Sequence, residues 1–324
     1  MKKTTFKTLF HSLIFAYLLL MISLVVPTEY AVITPYKTRP TNTMIEIEGH
    51  LEPNKLHSVS VISLERITGF QRMIYEMSDI FDVYKMSPYE SQINLFEDIE
   101  RSQLQKRASF EQAIVTAYSL SSATNPEVEI EYELTGLVVD YREAKFNQLN
   151  IGDIILEINN QTFNDYETMG LFFLDYQGEI TLKVDRKGDI RTIALVKTKD
   201  DIFRFYPKYN IKSASPKYYL PGENILSGGP SAGMMYTLTI YFSLEGSLFM
   251  KENIVGTGTI RYNNQIGTIG GLRQKVYAAI NEGMKHFMLP ASQYQEVADL
   301  SNQINLYPVS NILEAIEVVY EINQ

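Results

Sequence analysis

Gly228-Gly229-Pro230-Ser231-Ala232-Gly233 and, further on, Gly267-Thr268-Ile269-Gly270-Gly271-Leu272-Arg273-Gln274-Lys275 decide how the C-terminal part of this chain reads. The first stretch sets a serine in a glycine-rich turn, where relaxed steric limits let the backbone present a hydroxyl. A helix beginning at Ser231 would aim its unpaired N–H groups at negative charge developing beside it. The second stretch puts Lys275 in the first turn of another helix. There the macrodipole and the apolar neighbours Val276, Ala278 and Ala279 disfavour the ammonium form. A serine hydroxyl is a weak nucleophile without a base, and an ordinary lysine is protonated; a lysine depressed in this way can accept the proton. The two stretches predict acyl transfer, with Ser231 as nucleophile and Lys275 as base. The oxyanion hole is expected from the backbone N–H groups of Gly229, Ser231 and Ala232, since Pro230 has none.

These blocks, with Gly256-Thr257-Gly258 between them, resemble the proteolytic domain of the Lon protease family, in which such a serine and lysine form a catalytic dyad. The resemblance implies a C-terminal Lon proteolytic domain over 203–324, of the ribosomal protein S5 domain 2-like fold, and gives Thr257 a supporting role in fixing the lysine amine. Thr259 stands where many Lon enzymes have glutamate, and Gly228 where full-length Lon enzymes often have aspartate, which leaves a simple dyad.

Composition narrows the alternatives. The chain has 324 residues, 45% of them hydrophobic and 21% charged, an ordinary globular balance with room for about two domains. Its net charge of -9 argues against nucleic acid. With no cysteine, disulfides, thiolate zinc sites and cysteine nucleophiles are excluded. His11, His50, His57 and His286 do not suggest a triad. No serine has a lysine three residues later, His-Glu-x-x-His is absent, and so is the Gly-x-x-x-x-Gly-Lys-Ser/Thr phosphate loop. No metal, cofactor or ATP is expected. One other enzyme class stays open: small-molecule kinases of the galactokinase and homoserine-kinase kind have a related fold and a phosphate loop similar to Gly229–Gly233.

Lys2, Lys3 and Lys7 precede an apolar run from Leu9 to Val26. This predicts a cytoplasmic tail over 1–8, a transmembrane anchor over 9–27 and an extracellular remainder. Val26-Pro27-Thr28-Glu29 lacks a small-x-small pattern, which favours an uncleaved anchor over a signal peptide. Residues 28–125 read as membrane-proximal. Tyr30–Thr43, with Pro35 and Pro40, is a spacer; Met44–Glu48 and Ser58–Ile62 alternate around Glu52-Pro53-Asn54-Lys55 as a hairpin. Phe70–Leu120 has the spacing of two scaffold helices joined near Pro88.

Over 126–200 the strand signals return, with Leu149-Asn150-Ile151-Gly152-Asp153-Ile154-Ile155-Leu156-Glu157-Ile158-Asn159 as the most distinctive run. This resembles a bacterial PDZ domain. The resemblance implies a β domain with a helix at about Tyr166–Leu174 and peptide contacts from Gly136, Leu137 and Val138. From Phe203 onward strands and helices alternate: strands at Phe203–Ile211, Ile254–Ile260, Ile266–Ile269, Phe287–Pro290 and Asn305–Val309, and helices from Ser231, Leu272, Ser292 and Asn311. The fold class is α+β.

Taken together, anchor, hairpin with helical insert, PDZ-like domain and Lon-like domain resemble the cell-surface PDZ-containing Lon-like serine proteases of Gram-positive bacteria. The resemblance implies an ATP-independent serine endopeptidase, anchored with its N-terminus cytoplasmic and its catalytic region extracellular. It would cut exported or cell-surface proteins and peptides, secreted signalling peptides among them, with PDZ-assisted recruitment. A homo-oligomer is left open. The alternative is a membrane-tethered PDZ adaptor with an inactive protease fold.

Overall fold

The computed structural model describes residues 2–50, 55–87, 95–220, 228–246 and 250–324. In chain order the elements begin with α1 (Lys2–Val25), β1 (Tyr30–Pro40), β2 (Glu46–Ile47), β3 (Leu56–Leu64), α2 (Gly69–Tyr75), β4 (Asp82–Lys85) and the long α3 (Leu95–Ser121). Next come β5 (Glu129–Arg142), β6 (Ile154–Ile158), α4 (Tyr166–Asp175), β7 (Gly178–Arg186), β8 (Asp189–Lys197), β9 (Phe203–Ser215) and β10 (Tyr218–Tyr219). The last are α5 (Gly233–Glu245), β11 (Ile254–Gly256), β12 (Thr259–Ile260), β13 (Ile266–Gly267), α6 (Leu272–Asn281), β14 (His286–Pro290), β15 (Asn305–Val309) and α7 (Ile312–Asn323). The architecture is α+β.

A six-stranded mixed sheet, ordered β15-β14-β11-β3-β1-β4, is the frame of the candidate site. Its four strands from β15 to β3 run parallel, and β3, β1 and β4 are antiparallel. Because successive side chains in a strand face opposite ways, each inner strand feeds two cores. Leu56, Ile254 and Met288 meet Met234, Met235 and Leu238 of α5 on one face. Val255, Phe287 and Leu289 meet Leu272, Val276 and Ala279 of α6 on the other. Helix α5 is buried on every side from Gly233 to Ile240, as expected of a helix apolar all round. It lies between the sheet and α3, and each fully buried methionine or leucine there contributes about 1.5–3 kcal/mol of burial free energy.

A second, five-stranded antiparallel sheet, ordered β8-β7-β6-β5-β9, carries α4 and its own core of Leu137, Ile155, Phe173 and Phe203. Helix α3 ties the sheets together, touching α5 on one side and β5 and β9 on the other. Its Arg101 forms an ion pair of 3.2 Å with the buried Asp140 of β5, and Gln105 donates to the same carboxylate at 2.7 Å.

Several sequence expectations are corrected. Among the described residues no helix is long and apolar enough to cross a membrane, so the transmembrane anchor over 9–27 is overturned. With it go the cytoplasmic 1–8 tail, the single-pass placement and the extracellular catalytic region. The segment forms α1, in which His11, Ser12 and Ser23 interrupt the apolar run and Lys2, Lys3 and Lys7 occupy the N-terminal turns. Nor does a spacer follow it. Pro27 bridges to Thr68, and the chain enters β1 at Tyr30, an inner strand that accommodates Pro35 at a bulge between Pro35 and Lys37.

The expected hairpin is differently paired: β2 pairs with β10, and β3 with β1. The turn at 52–54 and the break at Pro88 lie outside the described residues. The stretch read as two helices holds α2, the strand β4 and then α3. Strand β9, expected to open the C-terminal unit, pairs with β5 along its whole length.

Candidate active site

The serine turn is shaped by α3. Gly229 has φ +86, in the left-handed region that glycine tolerates, and its N–H donates to the Ser102 carbonyl at 3.0 Å. A Cβ on Gly228 would stand 1.7 Å from Ser102 Oγ, so this close approach also requires glycine. Ser109, two helical turns further along α3, donates through Oγ to the Pro230 carbonyl at 3.2 Å. Ala232 then caps α5, and the segment after β11 clamps the serine from the other side. The Ser231 carbonyl accepts from Gly258 N–H at 2.8 Å and from Thr257 Oγ1 at 3.0 Å, while Met234 N–H donates to Gly258 O at 3.0 Å.

Lys275 arrives from the opposite face of the sheet. Gly271, in the left-handed conformation with φ 63, caps α6 and accepts from Lys275 N–H at 3.0 Å. The lysine side chain is 3% exposed, and its Nζ donates to Thr257 Oγ1 at 3.3 Å. Burial drives its pKa down to about 7, because removing the ammonium from water disfavours the charged form. Thr257, 1% exposed at the end of β11, thus accepts from the lysine and donates to the serine's own carbonyl. No hydrogen bond joins Ser231 Oγ to Lys275 Nζ directly among the described residues.

The structure therefore gathers Ser231, Thr257 and Lys275. Of the three expected oxyanion donors, Ser231 and Ala232 make no backbone hydrogen bond through their N–H groups among the described residues. Gly229 does not fit that role, since its N–H is committed to Ser102. Gly136, Leu137 and Val138 are also corrected as peptide contacts. They lie in the middle of β5, where Leu137 and Val138 pair with β6 on one side and β9 on the other, leaving no free edge. Gly136 is packed so closely that a Cβ would meet the Ile155 carbonyl at 2.2 Å.

Sequence reasoning missed the polar stripe on α3. Ser102, Lys106 and Ser109 fall at i, i+4 and i+7, the spacing of one helix face, and a polar stripe at that spacing inside a scaffold helix was the available signal. Two cavities open at Ser231. One, of about 440 Å³, lies toward Lys106, Lys275 and the strand residues Val59–Ile62. The other, of about 640 Å³, runs between α4 and β9 past Leu171, Leu174 and Phe205. Among the described residues no three His, Asp or Glu side chains gather to hold a metal ion.

Comparison with known proteins gives the class of this region. Residues 190–321 match the Lon protease (S16) C-terminal proteolytic domain, so this region is similar to a peptidase domain. Lon proteases are among the curated proteins it is similar to. The chain is 31% identical over 121 residues to Lon protease of Buchnera aphidicola subsp. Schizaphis graminum, covering 36% of this chain and 15% of that protein. It is 32% identical over 109 residues to Lon protease of Aster yellows witches'-broom phytoplasma, 32% of this chain and 13% of that one. With Lon protease of Mycoplasma mycoides subsp. mycoides SC it shares 25% identity over 181 residues, 53% of this chain and 21% of the relative. The matched part thus spans between 13% and 21% of the length of these three relatives.

Proposed function

We propose that this chain is a serine endopeptidase that hydrolyses peptide bonds through a Ser231–Lys275 dyad. One observation carries the reading: a buried lysine, with a pKa of about 7, is joined through a single threonine hydroxyl to the carbonyl of the candidate nucleophile. The neutral Lys275 amine takes the proton from Ser231 Oγ as that oxygen attacks the substrate carbonyl. The N–H groups of Ser231 and Ala232 receive the negative charge that develops on the carbonyl oxygen. The C–N bond breaks as the Lys275 ammonium returns its proton to the leaving amine, and water then releases the acyl group from Ser231 by the same base. Thr257 holds the amine in place. This chain contains no Gly-x-x-x-x-Gly-Lys-Ser/Thr loop, and none of these steps draws on ATP.

Substrate recruitment is assigned to the groove between α4 and β9. The five-stranded unit resembles a PDZ domain, and β9 pairs only with β5 among the described residues, so its other edge faces α4. Tyr166 of α4 already donates to the Phe205 carbonyl on that edge at 3.0 Å. Contact with exposed Leu171 and Leu174 therefore supplies the grip, with strand addition secondary.

The test is covalent. A serine-reactive phosphonate should label Ser231, as located by peptide mass spectrometry, and Lys275→Met should abolish both labelling and hydrolysis of a fluorogenic peptide. Hydrolysis retained by Ser231→Ala would overturn the dyad. The alternative, a peptide-binding adaptor with an inactive fold, has one observation in its favour, the missing direct bond between Ser231 and Lys275. Such bonds often tighten only when substrate is present.

A further inference from the structure

The 440 Å³ cavity at Ser231 holds two cations that the dyad does not use. Lys106, in the middle of α3, is 8% exposed, and Arg39 of β1 is half-buried close to it. Neither makes a hydrogen bond or an ion pair among the described residues. Several other lysines find carboxylates even at the surface, as Lys183 does with Glu157 and Lys187 with Glu100. Burying a cation without an anion is costly, and the cost is removed when a carboxylate arrives. Burial and the neighbouring Arg39 both hold the Lys106 amine below its ordinary pKa, as expected of a cation kept waiting for a partner.

The cavity wall supplies none. No Asp or Glu lines it among the described residues; Ser58, Ser60 and Ser102 contribute hydroxyls instead. The wall also has a place for a peptide backbone. Strand β11 pairs with β3 only from Leu56 to Ser58, so among the described residues the edge of β3 from Val59 to Ile62 is unpaired on the side away from β1, and those residues line the cavity. An extended chain can add there as a strand, in the same space as Lys106, Arg39 and Ser231.

We propose that Lys106 and Arg39 form a carboxylate-recognition subsite, so that this protein selects peptides carrying an Asp or Glu side chain near the bond at Ser231, laid along the free edge of β3. The inference rests on the reading of Ser231 as the reacting residue. A chain-terminal carboxylate has the same chemistry, and the experiment separates the two sources.

Peptides with one Asp, or its uncharged isostere Asn, scanned through the positions flanking the cleaved bond, are compared with free and amidated C-termini. The wild-type protein should cut the Asp peptide at one position with kcat/KM roughly tenfold or more above the Asn peptide, whichever C-terminus is present. Lys106→Arg should keep that ratio, Lys106→Met should bring it close to one, and Lys106→Glu should reverse it in favour of a Lys-bearing peptide. A ratio near one in the wild type, a ratio unmoved by Lys106→Met, or a preference that follows the free C-terminus would each overturn the proposal. Binding of the same peptides to Ser231→Ala, read by fluorescence anisotropy, keeps the two readings apart. Tighter binding of the Asp peptide without any cleavage by the wild type would support the subsite and count against the dyad; equal binding of both peptides would remove the subsite.

Discussion

Lys275 concentrates the proposed chemistry and a local stability cost in a single side chain. Its folded pKa of about 7 lies far below the ordinary lysine value of 10.5, so the unfolded chain holds the proton more tightly than the folded one. The folded state therefore bears a penalty on the order of 5 kcal/mol, fully present below about pH 7 and fading as pH rises toward 10.5. Activity should rise with pH through about 7, as the amine becomes neutral. Lys275→Arg should lose about 10²–10⁴-fold in kcat, because a guanidinium stays protonated. Lys275→Met should be inactive yet more stable than the wild type at pH 6, with a flatter stability slope between pH 7 and 10. Denaturant unfolding at several pH values measures this, and a slope equal to that of the wild type would show that the lysine is not buried as an amine. Thr257→Val removes the hydroxyl that links Lys275 to the Ser231 carbonyl. It should lower kcat about tenfold or more with little change in KM, the mark of a group that positions the base and does not grip substrate.

At the scale of elements, the serine turn belongs as much to α3 as to the helix it precedes. Gly228→Ala would drive a Cβ into Ser102 Oγ, so it should displace the turn and reduce kcat sharply. Adding Ser102→Gly removes the obstructing side chain and should restore part of the activity, at about 1 kcal/mol of helix propensity. Equal activity in the single and double variants would show that the contact does not set the turn. This dependence was hidden from the sequence because it joins residues more than a hundred positions apart, and only the stripe of Ser102, Lys106 and Ser109 hinted at it. Local signals read well: the strand runs of the five-stranded unit, α4 at Tyr166–Asp175, the Asn311 cap that accepts from Glu314 N–H at 3.0 Å, and Gly283 closing α6 with φ +71. Pairing partners did not. The prolines of β1 masked an inner strand because a bulge absorbs Pro35, and β2 was assigned to its neighbour in sequence although it pairs with β10 far along the chain. The spaced glycines singled out Ser231 and Lys275, and the Lon resemblance alone pointed to Thr257, which the structure places beside both; the Gly229 and Gly136 assignments do not fit because a motif does not say which N–H groups and strand edges the rest of the fold consumes.

Across the whole molecule, the candidate site lies where the two sheets are joined, and this determines how recruitment can be tested. Excising residues 126–200 would leave β9 without β5 and strip Arg101 and Gln105 of the Asp140 carboxylate. Truncating one partner of a buried ion pair costs about 3–5 kcal/mol, and the unpaired strand adds to it. The excised protein should therefore lose activity on every substrate, long or short, together with its cooperative unfolding transition. Recruitment has to be probed by a change that spares the frame. Leu171 and Leu174 face the groove from α4 and are 53% and 40% exposed, so charged replacements there remove apolar grip with little disturbance of the core. Leu171→Glu with Leu174→Glu should leave the thermal midpoint within a few degrees of the wild type. It should lower kcat/KM for a long unfolded protein about tenfold more than for a short peptide held only beside Ser231. A short peptide and a long chain affected equally, with the fold intact, would mean that the groove between α4 and β9 guides no substrate to the serine, and that selection resides entirely in the cavity on the other side of Ser231.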